Sequence, residues 1–194
     1  MISGLREDAI VERTGGQQHL AVRKAAMRDI APILELINGY AAKGIMLPRT
    51  EFEMSENIRD FTVAFSDSRL VGCGALHFYT PTTAEVRSLA VAEEFKQSGA
   101  GRAIVKALEQ EALESGLEFI FAFTYVQEFF RKLGFQEVER GELPLKAWRD
   151  CLRCPKFQCC DEVAMLKTLR EGVRFPPTGA EPFANLIQLP TMQR

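Results

Sequence analysis

A glycine-containing loop near the middle of the chain has the residue types and spacing of a phosphate-binding loop. It consists of Lys96, Gln97, Ser98, Gly99, Ala100 and Gly101, and Arg102 then begins a segment with apolar residues at helical spacing. Glycines let a backbone turn tightly and approach a ligand, and the free amides of a helix's first turn attract anions. Many such glycines only make the turn. The loop therefore predicts a helix N-terminus, and phosphate binding is the chemistry that it offers.

The segment before this loop alternates as a β-strand does. Successive side chains of residues 85–91 would face opposite sides of a sheet, because a strand has a period of two residues. We expect one face to carry Val86, Ser88 and Ala90 and the other to carry Glu85, Arg87, Leu89 and Val91. The sequence thus predicts a strand, a glycine loop and a helix in direct succession.

The composition indicates one domain with a substantial core. Of 194 residues 46% are hydrophobic, and 24 basic residues nearly balance 26 acidic ones. The basic residues are scattered, so we expect no binding to nucleic acid or to an anionic membrane. Residues 1–16 are charged throughout, and no apolar run approaches the roughly 20 residues of a membrane span. We therefore expect a cytoplasmic protein.

Four of the five cysteines lie close together near the C-terminus, at Cys151, Cys154, Cys159 and Cys160. An odd number of cysteines crowded in this way does not resemble a secreted disulfide framework. Cys151 and Cys154 have metal-ligand spacing, but a second well-spaced pair and a nearby histidine are missing. We expect reduced thiols and no metal, with a bound zinc as the alternative, and we expect His19 and His77 to be structural.

Periodicity and turn residues predict an α/β chain. Strands are expected at residues 20–24, 61–65, 70–78, 85–91, 117–123, 135–139 and 162–169. Helices are expected at residues 27–42, 50–58, 102–116, within 124–134 and around 146–150. Thr50 and Glu53 predict a capping box at the second helix, and the sequence SDSR at residues 66–69 predicts a hairpin turn.

The folded domain is expected to span residues 19–169. Residues 1–18 lack sustained periodicity and predict an irregular N-terminal arm. Residues 170–194 predict a proline-rich tail, for which we expect disorder. The alternative for the tail is docking on a partner, or on a second copy of the chain in a homodimer.

Two motifs together resemble the GNAT acyltransferase superfamily. There, a strand similar to VRSLAV precedes a Gln/Arg-x-x-Gly-x-Gly/Ala loop that holds the pyrophosphate of acetyl-coenzyme A, and FFRKLGF at residues 129–135 resembles the customary ending. The resemblance implies a mixed central sheet of about six or seven strands flanked by about four helices. It implies that residues 96–102 hold acetyl-coenzyme A, with Lys96 where Gln or Arg is usual. It also implies that Leu89, Ala90 and Val91 expose free amides where their strand leaves its neighbour.

Four motifs in order resemble, more narrowly, the stand-alone N-acetylglutamate synthases of arginine biosynthesis. They are IMLPR at residues 45–49, EVRSLAV at 85–91, FFRKLGF at 129–135 and LPLKAWRDCLRCPKFQCCDEVAM at 143–165. The resemblance implies that L-glutamate is acetylated at its α-amino group by direct attack on acetyl-coenzyme A. The alternatives are a GNAT enzyme for another small amine, for a protein N-terminus or for lysine, and a non-catalytic acyl-coenzyme A binding module.

The same resemblance suggests the acid and base groups. A glutamate at the position of Glu85 would draw the ammonium proton through water, and a solvated strand-end carboxylate is the alternative. The tyrosine that often protonates the departing thiolate is Phe130 here. Tyr125 is then the better candidate acid and Thr124 the second, because a phenol is closer in pKa to a thiol. A packed aromatic and a helix N-cap, respectively, are the alternatives for these two residues.

Two arginines are candidates for acceptor recognition, because the planar guanidinium fork suits carboxylates. Arg49 lies before the second helix, and Arg87 follows Glu85 by two residues on the same strand face. The synthases that the chain resembles place basic residues in both regions. We expect both arginines to contact the acceptor's carboxylates, with Lys146 and Arg149 as reserves. A surface role for Arg49 and an Arg87–Glu85 ion pair are the alternatives.

Overall fold

The computed structural model describes residues 10–13, 19–143, 154, 156 and 159–175, which form eight strands and four α-helices. The strands are β1 (Ile10–Arg13), β2 (His19–Lys24), β3 (Phe61–Ser66), β4 (Arg69–Thr80), β5 (Thr83–Val91), β6 (Phe119–Thr124), β7 (Gln136–Glu137) and β8 (Val163–Thr168). The helices are α1 (Ile30–Ala41), α2 (Glu51–Asn57), α3 (Ala100–Glu114) and α4 (Gln127–Arg131). Within this described part, every helix is too short or too polar to cross a membrane.

All eight strands belong to one mixed sheet in the order β1-β2-β3-β4-β5-β6-β8-β7. Neighbours from β1 to β5 are antiparallel, whereas β6 runs parallel to β5 after the crossover through α3. Strand β8 then inserts antiparallel between β6 and β7. The architecture confirms the predicted α/β class, with a mixed sheet and four helices, and β1 is the additional strand.

Two segments differ from the sequence-based expectations. Strand β1 lies inside the predicted irregular arm, because Ile10–Arg13 forms an antiparallel ladder with β2. The start of the predicted tail packs on the sheet, since the Phe175 ring lies 4.9 Å from the Phe119 ring in an edge-to-face contact. The helix predicted around residues 146–150, with Lys146 and Arg149, lies outside the described residues.

Hydrophobic cores cover both faces of the sheet. On one face α3 buries Ile104 and Leu108 against residues of β2, β4 and β5. On the other face α1 buries Ile33 and Ile37 against residues of β3 and β4. Each fully buried side chain of this size contributes roughly 1.5–3 kcal/mol relative to an exposed one. The centre of the sheet, where β5 lies, is therefore fixed from both sides.

Two short-range predictions are confirmed around this core. The Thr50 hydroxyl accepts the Glu53 amide proton over 3.2 Å, and the Glu53 carboxylate accepts the Thr50 amide proton over 3.0 Å. This reciprocal capping box begins α2. The β3–β4 hairpin turns through Asp67 and Ser68, whose φ angles of 47° and 75° suit a two-residue turn that matches the twist of its strands.

Candidate active site

Strands β5 and β6 separate in the middle of the sheet. They pair over three positions, the last of which joins Glu85 to Phe121. Strand β5 then continues to Val91 and β6 to Thr124 without a further pair between these two described strands. Main-chain groups of β5 that point toward β6 beyond Glu85 therefore have no ladder partner there. This gap agrees with the predicted separation beside residues 89–91.

A β-bulge at Ser88 lies at the start of the gap. Ser88 has a φ of 53°, and two residues of β5, Ser88 and Leu89, stand opposite the single residue Gly74 of β4. A bulge reverses the alternation of side chains along its strand. Val86 and Leu89 consequently both contribute to the core under α3, whereas Ala90 contributes to the core under α1. The sequence analysis placed Ala90 on the same face as Val86 and Ser88, and Leu89 on the same face as Arg87. Both predictions are wrong beyond the bulge.

The glycine loop leads from β5 into α3. Gly99 is the N-cap of α3 with a φ of 88°, a conformation that favours glycine. The Ser98 hydroxyl donates to the Phe95 carbonyl over 2.7 Å and accepts the Ala100 amide proton over 3.3 Å, which stiffens the turn. A Cβ atom on Gly101 would lie 3.4 Å from a Val91 methyl group, so the helix begins close against the end of β5. The side chains of Lys96, Gln97 and Arg102 are exposed around this loop.

Two lysines and a tyrosine surround the mouth of the loop. The Tyr40 hydroxyl donates to the Val91 carbonyl over 2.6 Å, and burial raises the pKa of this tyrosine. Lys96 and Lys43 place their Nζ atoms 5.4 and 5.5 Å from the centre of the Tyr40 ring. The exposed Glu93 carboxylate lies 2.8 Å from Lys96 and raises the pKa of that amine. Lys96 and Lys43 thus lie beside the end of β5, where both amines contact the Glu93 carboxylate.

Glu85 is the most deeply buried acidic residue described at the gap. Its exposure is only 1%, although the sequence left a solvated strand-end carboxylate as the alternative. Strand β5 begins two residues earlier than predicted, at Thr83, and this extension places Glu85 inside the sheet. The Tyr79 hydroxyl donates to Glu85 Oε2 over 3.1 Å. A buried carboxylate held in this way can accept a proton at a fixed position.

Arg87 lies on the same face, two residues further along β5. Its Nη2 atom is 3.9 Å from Asp60 Oδ2, and the same oxygen is 3.0 Å from His77 Nδ1. His77 stands directly opposite Glu85 on β4. Arg87 therefore forms an ion pair with Asp60. This arrangement brings the Glu85 carboxyl group and the Arg87 guanidinium group together on one strand.

Arg49 is positioned by α1. The Asn38 side-chain amide donates to the Arg49 carbonyl over 3.0 Å, and its oxygen accepts the Arg49 amide proton over 2.9 Å. Arg49 is half-buried, so its environment differs from that of a fully exposed surface arginine. Sequence analysis did not identify Asn38, because its contact with Arg49 joins residues eleven positions apart through a loop.

The two candidate acids lie beyond the end of the β5–β6 ladder. The Thr124 hydroxyl is buried and accepts the Val126 amide proton over 3.0 Å, close to the N-cap role considered for it. Tyr125 is 40% exposed and receives a hydrogen bond from Lys156 over 3.3 Å. Partial burial raises the pKa of Tyr125, and Lys156 opposes that shift. Phe130 is buried against Phe135. Its ring carries no hydroxyl group that would need a hydrogen-bond partner there.

The cysteines form no metal site within the part of the chain that the structure describes. Cys154, Cys159 and Cys160 are free thiols there, and Cys151 lies outside the described residues. No group of three or more potential metal ligands was found among the described side chains. Cys73, beside the bulge, is fully buried, and desolvation raises the pKa of its thiol to about 12. Such a thiol packs as an apolar side chain and is a poor nucleophile.

The family of the chain follows from its relatives. Residues 32–135 match the acetyltransferase (GNAT) family. The chain is 45% identical over 148 residues to an uncharacterised N-acetyltransferase of Chlorobaculum tepidum, covering 76% of this chain and 96% of that protein. It is 36% identical over 121 residues to the amino-acid acetyltransferase of Mycobacterium tuberculosis, covering 61% and 69%, respectively. The chain therefore belongs to the GNAT acetyltransferase family.

Solved structures agree with this assignment. The N-acetylglutamate synthase of Neisseria gonorrhoeae, in complex with coenzyme A and N-acetyl-glutamate, superposes with a TM-score of 0.70 at 26% sequence identity. The alignment covers 78% of this chain and 35% of that protein, so the chain matches about a third of the synthase. The fold is thus that of a GNAT acetyltransferase.

Proposed function

We propose that the protein transfers the acetyl group of acetyl-coenzyme A to the α-amino group of L-glutamate. The observation that carries the proposal is the burial of Glu85 at the last paired position before the gap between β5 and β6. A carboxylate is unfavourable inside a protein unless hydrogen bonds or a function require it there. Amino-acid acetyltransferases among the relatives, and N-acetyl-glutamate in a similar solved structure, support an amino-acid acceptor.

Acetyl-coenzyme A would lie along the gap. Its pyrophosphate would take the first-turn amides of α3 at Gly99–Gly101, where the helix dipole and the side chains of Lys96 and Arg102 favour an anion. Its pantetheine arm would pair with the main chain of residues 89–91, which lacks a ladder partner on the β6 side. The thioester would then lie near the bulge at Ser88, where free amides can stabilise an oxyanion.

The reaction would proceed by direct attack. Glu85 would accept one proton from the acceptor's ammonium group through a water molecule, and the freed amine would attack the thioester carbon. The resulting tetrahedral oxyanion would collapse and expel coenzyme A as a thiolate, which Tyr125 or water would protonate. Holding both substrates in place supplies much of the rate, and acid–base help adds about 10²–10⁴-fold.

Arg49 and Arg87 would hold the two carboxylates of glutamate. Removing a charge-assisted hydrogen bond costs roughly 1.5–3 kcal/mol, so Arg49→Ala and Arg87→Ala should each raise the Michaelis constant for glutamate tenfold or more. The constant for acetyl-coenzyme A should stay near its original value. Arg59→Ala removes an exposed arginine beside Asp60 and is the matched control. Equal losses for both substrates would assign the arginines a structural role.

The test of the proposed function is turnover across a panel of free amino acids. Turnover is measured as thiol release, and the product is identified by mass analysis. The proposal expects glutamate to be the best acceptor and N-acetylglutamate to be formed. Thiol release only with peptides would favour a protein acetyltransferase, and its absence with every acceptor would favour a binding module. Arginine biosynthesis and a cytoplasmic location accompany the glutamate proposal, and a homodimer stays a prediction.

A further inference from the structure

Tyr40 is carried by a rigid part of the fold. It lies in the last turn of α1 and shares one face of that helix with Ile33 and Ile37, which precede it at helical spacing. Both isoleucines are completely buried against the sheet, and Tyr40 itself is only 9% exposed. The packing of α1 therefore fixes where the phenol hydroxyl group lies.

This hydroxyl group points at the last main-chain carbonyl of β5. It donates to the Val91 oxygen over 2.6 Å. The next amide along the chain, that of Ala92, donates to the Val71 carbonyl of β4 over 2.8 Å. Because the peptide bond is trans, the C=O and N–H groups of one peptide unit point in opposite directions. The Val91 carbonyl thus points away from β4, toward the side on which the described strand β6 no longer pairs with β5.

The protein itself therefore supplies a donor at one position of the gap. A ligand amide could take the Val91 carbonyl only by displacing Tyr40. Leu89 faces the same side two residues earlier, because main-chain groups alternate along a strand with a period of two. An amide-containing arm that runs along the gap would accordingly pair with the main chain of Leu89 and with the Val91 amide.

Tyr40 also contacts the loop before α3. The Nζ atom of Lys96, the first residue of that loop, lies 5.4 Å from the centre of the Tyr40 ring. The Val91 side chain lies against the other end of the loop, since a Cβ atom on Gly101 would be 3.4 Å from its methyl group. Burial raises the pKa of Tyr40, so the hydroxyl group keeps its proton and remains a donor. One tyrosine thus joins the free edge of β5 to the glycine loop.

We propose that Tyr40 is a positioning residue for acetyl-coenzyme A. It occupies the Val91 carbonyl and holds the free edge of β5 at a fixed position relative to the loop, so that the pantetheine arm and the pyrophosphate fit at the same time. Without the hydroxyl group, the end of β5 must be ordered when the ligand binds, and this ordering weakens binding. The inference rests on the acetyl-coenzyme A part of the proposed function and is independent of the acceptor.

The test is the dissociation constant of coenzyme A, measured by calorimetry for the wild type and for Tyr40→Phe. The variant keeps the ring beside Lys96 and removes only the hydroxyl group. We expect the constant to rise about fivefold, the value of one hydrogen bond. The adenosine bisphosphate part of coenzyme A lacks the pantetheine arm, so its dissociation constant should change less than about twofold.

Tyr79→Phe is the matched control. It removes a phenol hydroxyl group that donates to Glu85, near the other end of β5, and should leave both dissociation constants within about twofold of the wild type. A merely structural hydroxyl group at Tyr40 would lower the free energy of unfolding without separating the two ligands. Equal losses for coenzyme A and its adenosine fragment in Tyr40→Phe would therefore overturn the positioning role.

A measurement on the wild type decides the question if Tyr40→Phe does not fold. In protein with isotope-labelled carbonyl carbons, we expect coenzyme A to shift the NMR signal of Leu89 and to leave that of Val91 nearly in place. This result would show that Tyr40 keeps its carbonyl in the complex. A Val91 shift as large as that of Leu89 would mean that the ligand displaces Tyr40, and it would overturn the inference.

The binding measurements also separate this inference from the proposed function. If the wild type and Tyr40→Phe bind coenzyme A equally well, the acetyl-coenzyme A site is retained and the role of Tyr40 is overturned. If the wild type binds no coenzyme A, the proposed function fails and the role of Tyr40 fails with it. Neither result requires turnover with glutamate.

Discussion

The side-chain amide of Asn38 forms hydrogen bonds with both main-chain groups of Arg49, over 2.9 and 3.0 Å. An asparagine side chain carries a donor and an acceptor, so it can bind a residue's amide and carbonyl at once. Asn38 lies in α1, which packs on the sheet through Ile33 and Ile37. The loop before α2 is therefore tied to a rigid element, and Arg49 is held at a defined position.

Asn38→Ala should weaken the binding of glutamate without removing the arginine. Loss of two hydrogen bonds at about 1 kcal/mol each predicts a rise of roughly tenfold or more in the Michaelis constant for glutamate. The constant for acetyl-coenzyme A should change less than about twofold. Asn57→Ala is the matched control, because Asn57 also bonds to a main-chain carbonyl, that of Glu53 in α2. If the Michaelis constants for both substrates rise equally in Asn38→Ala, the role of Asn38 in placing Arg49 is contradicted.

Gly74→Ala should disturb the gap between β5 and β6, because the added methyl group would displace core side chains. A Cβ atom at this position would lie 2.9 Å from an Ile104 methyl group and 3.2 Å from a Leu89 methyl group. Overpacking of this kind costs typically 1–3 kcal/mol, and a shift of Leu89 should also raise the Michaelis constant for acetyl-coenzyme A. Gly39→Ala is the control, since a Cβ atom there meets nothing within 4 Å and alanine favours α1. Chemical denaturation should place the two variants on opposite sides of the wild type; equal stabilities would contradict the close packing at Gly74.

Asp29 should make the stability of the fold depend on pH. Its carboxylate forms a bidentate pair with Arg23, over 2.7 and 2.9 Å, and this pair lowers the pKa of Asp29 below its ordinary value of 3.8. A carboxyl group with a lowered pKa in the folded state stabilises that state above the unfolded pKa. This stabilisation is lost as the pH falls from about 3.8 through the lower pKa of the folded state.

Asp29→Asn should therefore lower the free energy of unfolding by about 2 kcal/mol at pH 7, the value of a hydrogen bond to a charged group. The difference between the variant and the wild type should shrink as the pH falls below 3.8. Urea denaturation at pH 7 and near pH 3 measures both values. A difference that is the same at both pH values would show that the charge of Asp29 contributes nothing.

Tyr125→Phe tests the source of the proton for the departing thiolate. If Tyr125 is the acid, kcat should fall about tenfold or more, and Lys156→Met should move the alkaline limb to higher pH. The second effect follows because Lys156 opposes the raised pKa of Tyr125. A loss of about threefold or less in Tyr125→Phe would assign the proton to water.

Local patterns predicted most of the elements in this fold. The capping box at Thr50, the hairpin turn at Asp67 and the glycine that starts α3 each depend on a few neighbouring residues, and each is found as predicted. Strand β1 was missed because Ile10–Arg13 is regular only through its pairing with β2. Periodicity within one segment cannot reveal such a pairing.

The site depends more on contacts between segments, and the sequence analysis missed those. The bulge at Ser88 requires the pairing of β5 with β4, and it reversed the faces predicted for Leu89 and Ala90. A signal was available, because Gly72 and Gly74 within one strand indicate a bulge or a close approach. The Tyr79–Glu85 contact gave no comparable signal, because it joins two strands whose register was unknown.

The ratio of kcat/KM for glutamate to that for glutamine, measured at saturating acetyl-coenzyme A, tests the account most directly. Glutamine has the same size, keeps the α-carboxylate and lacks only the side-chain charge, so the ratio isolates recognition of the side-chain carboxylate. A site built to bind a charged group should prefer glutamate by roughly tenfold to a hundredfold, the value of one charge-assisted hydrogen bond. A ratio near one, or a preference for glutamine, would contradict the proposed acceptor.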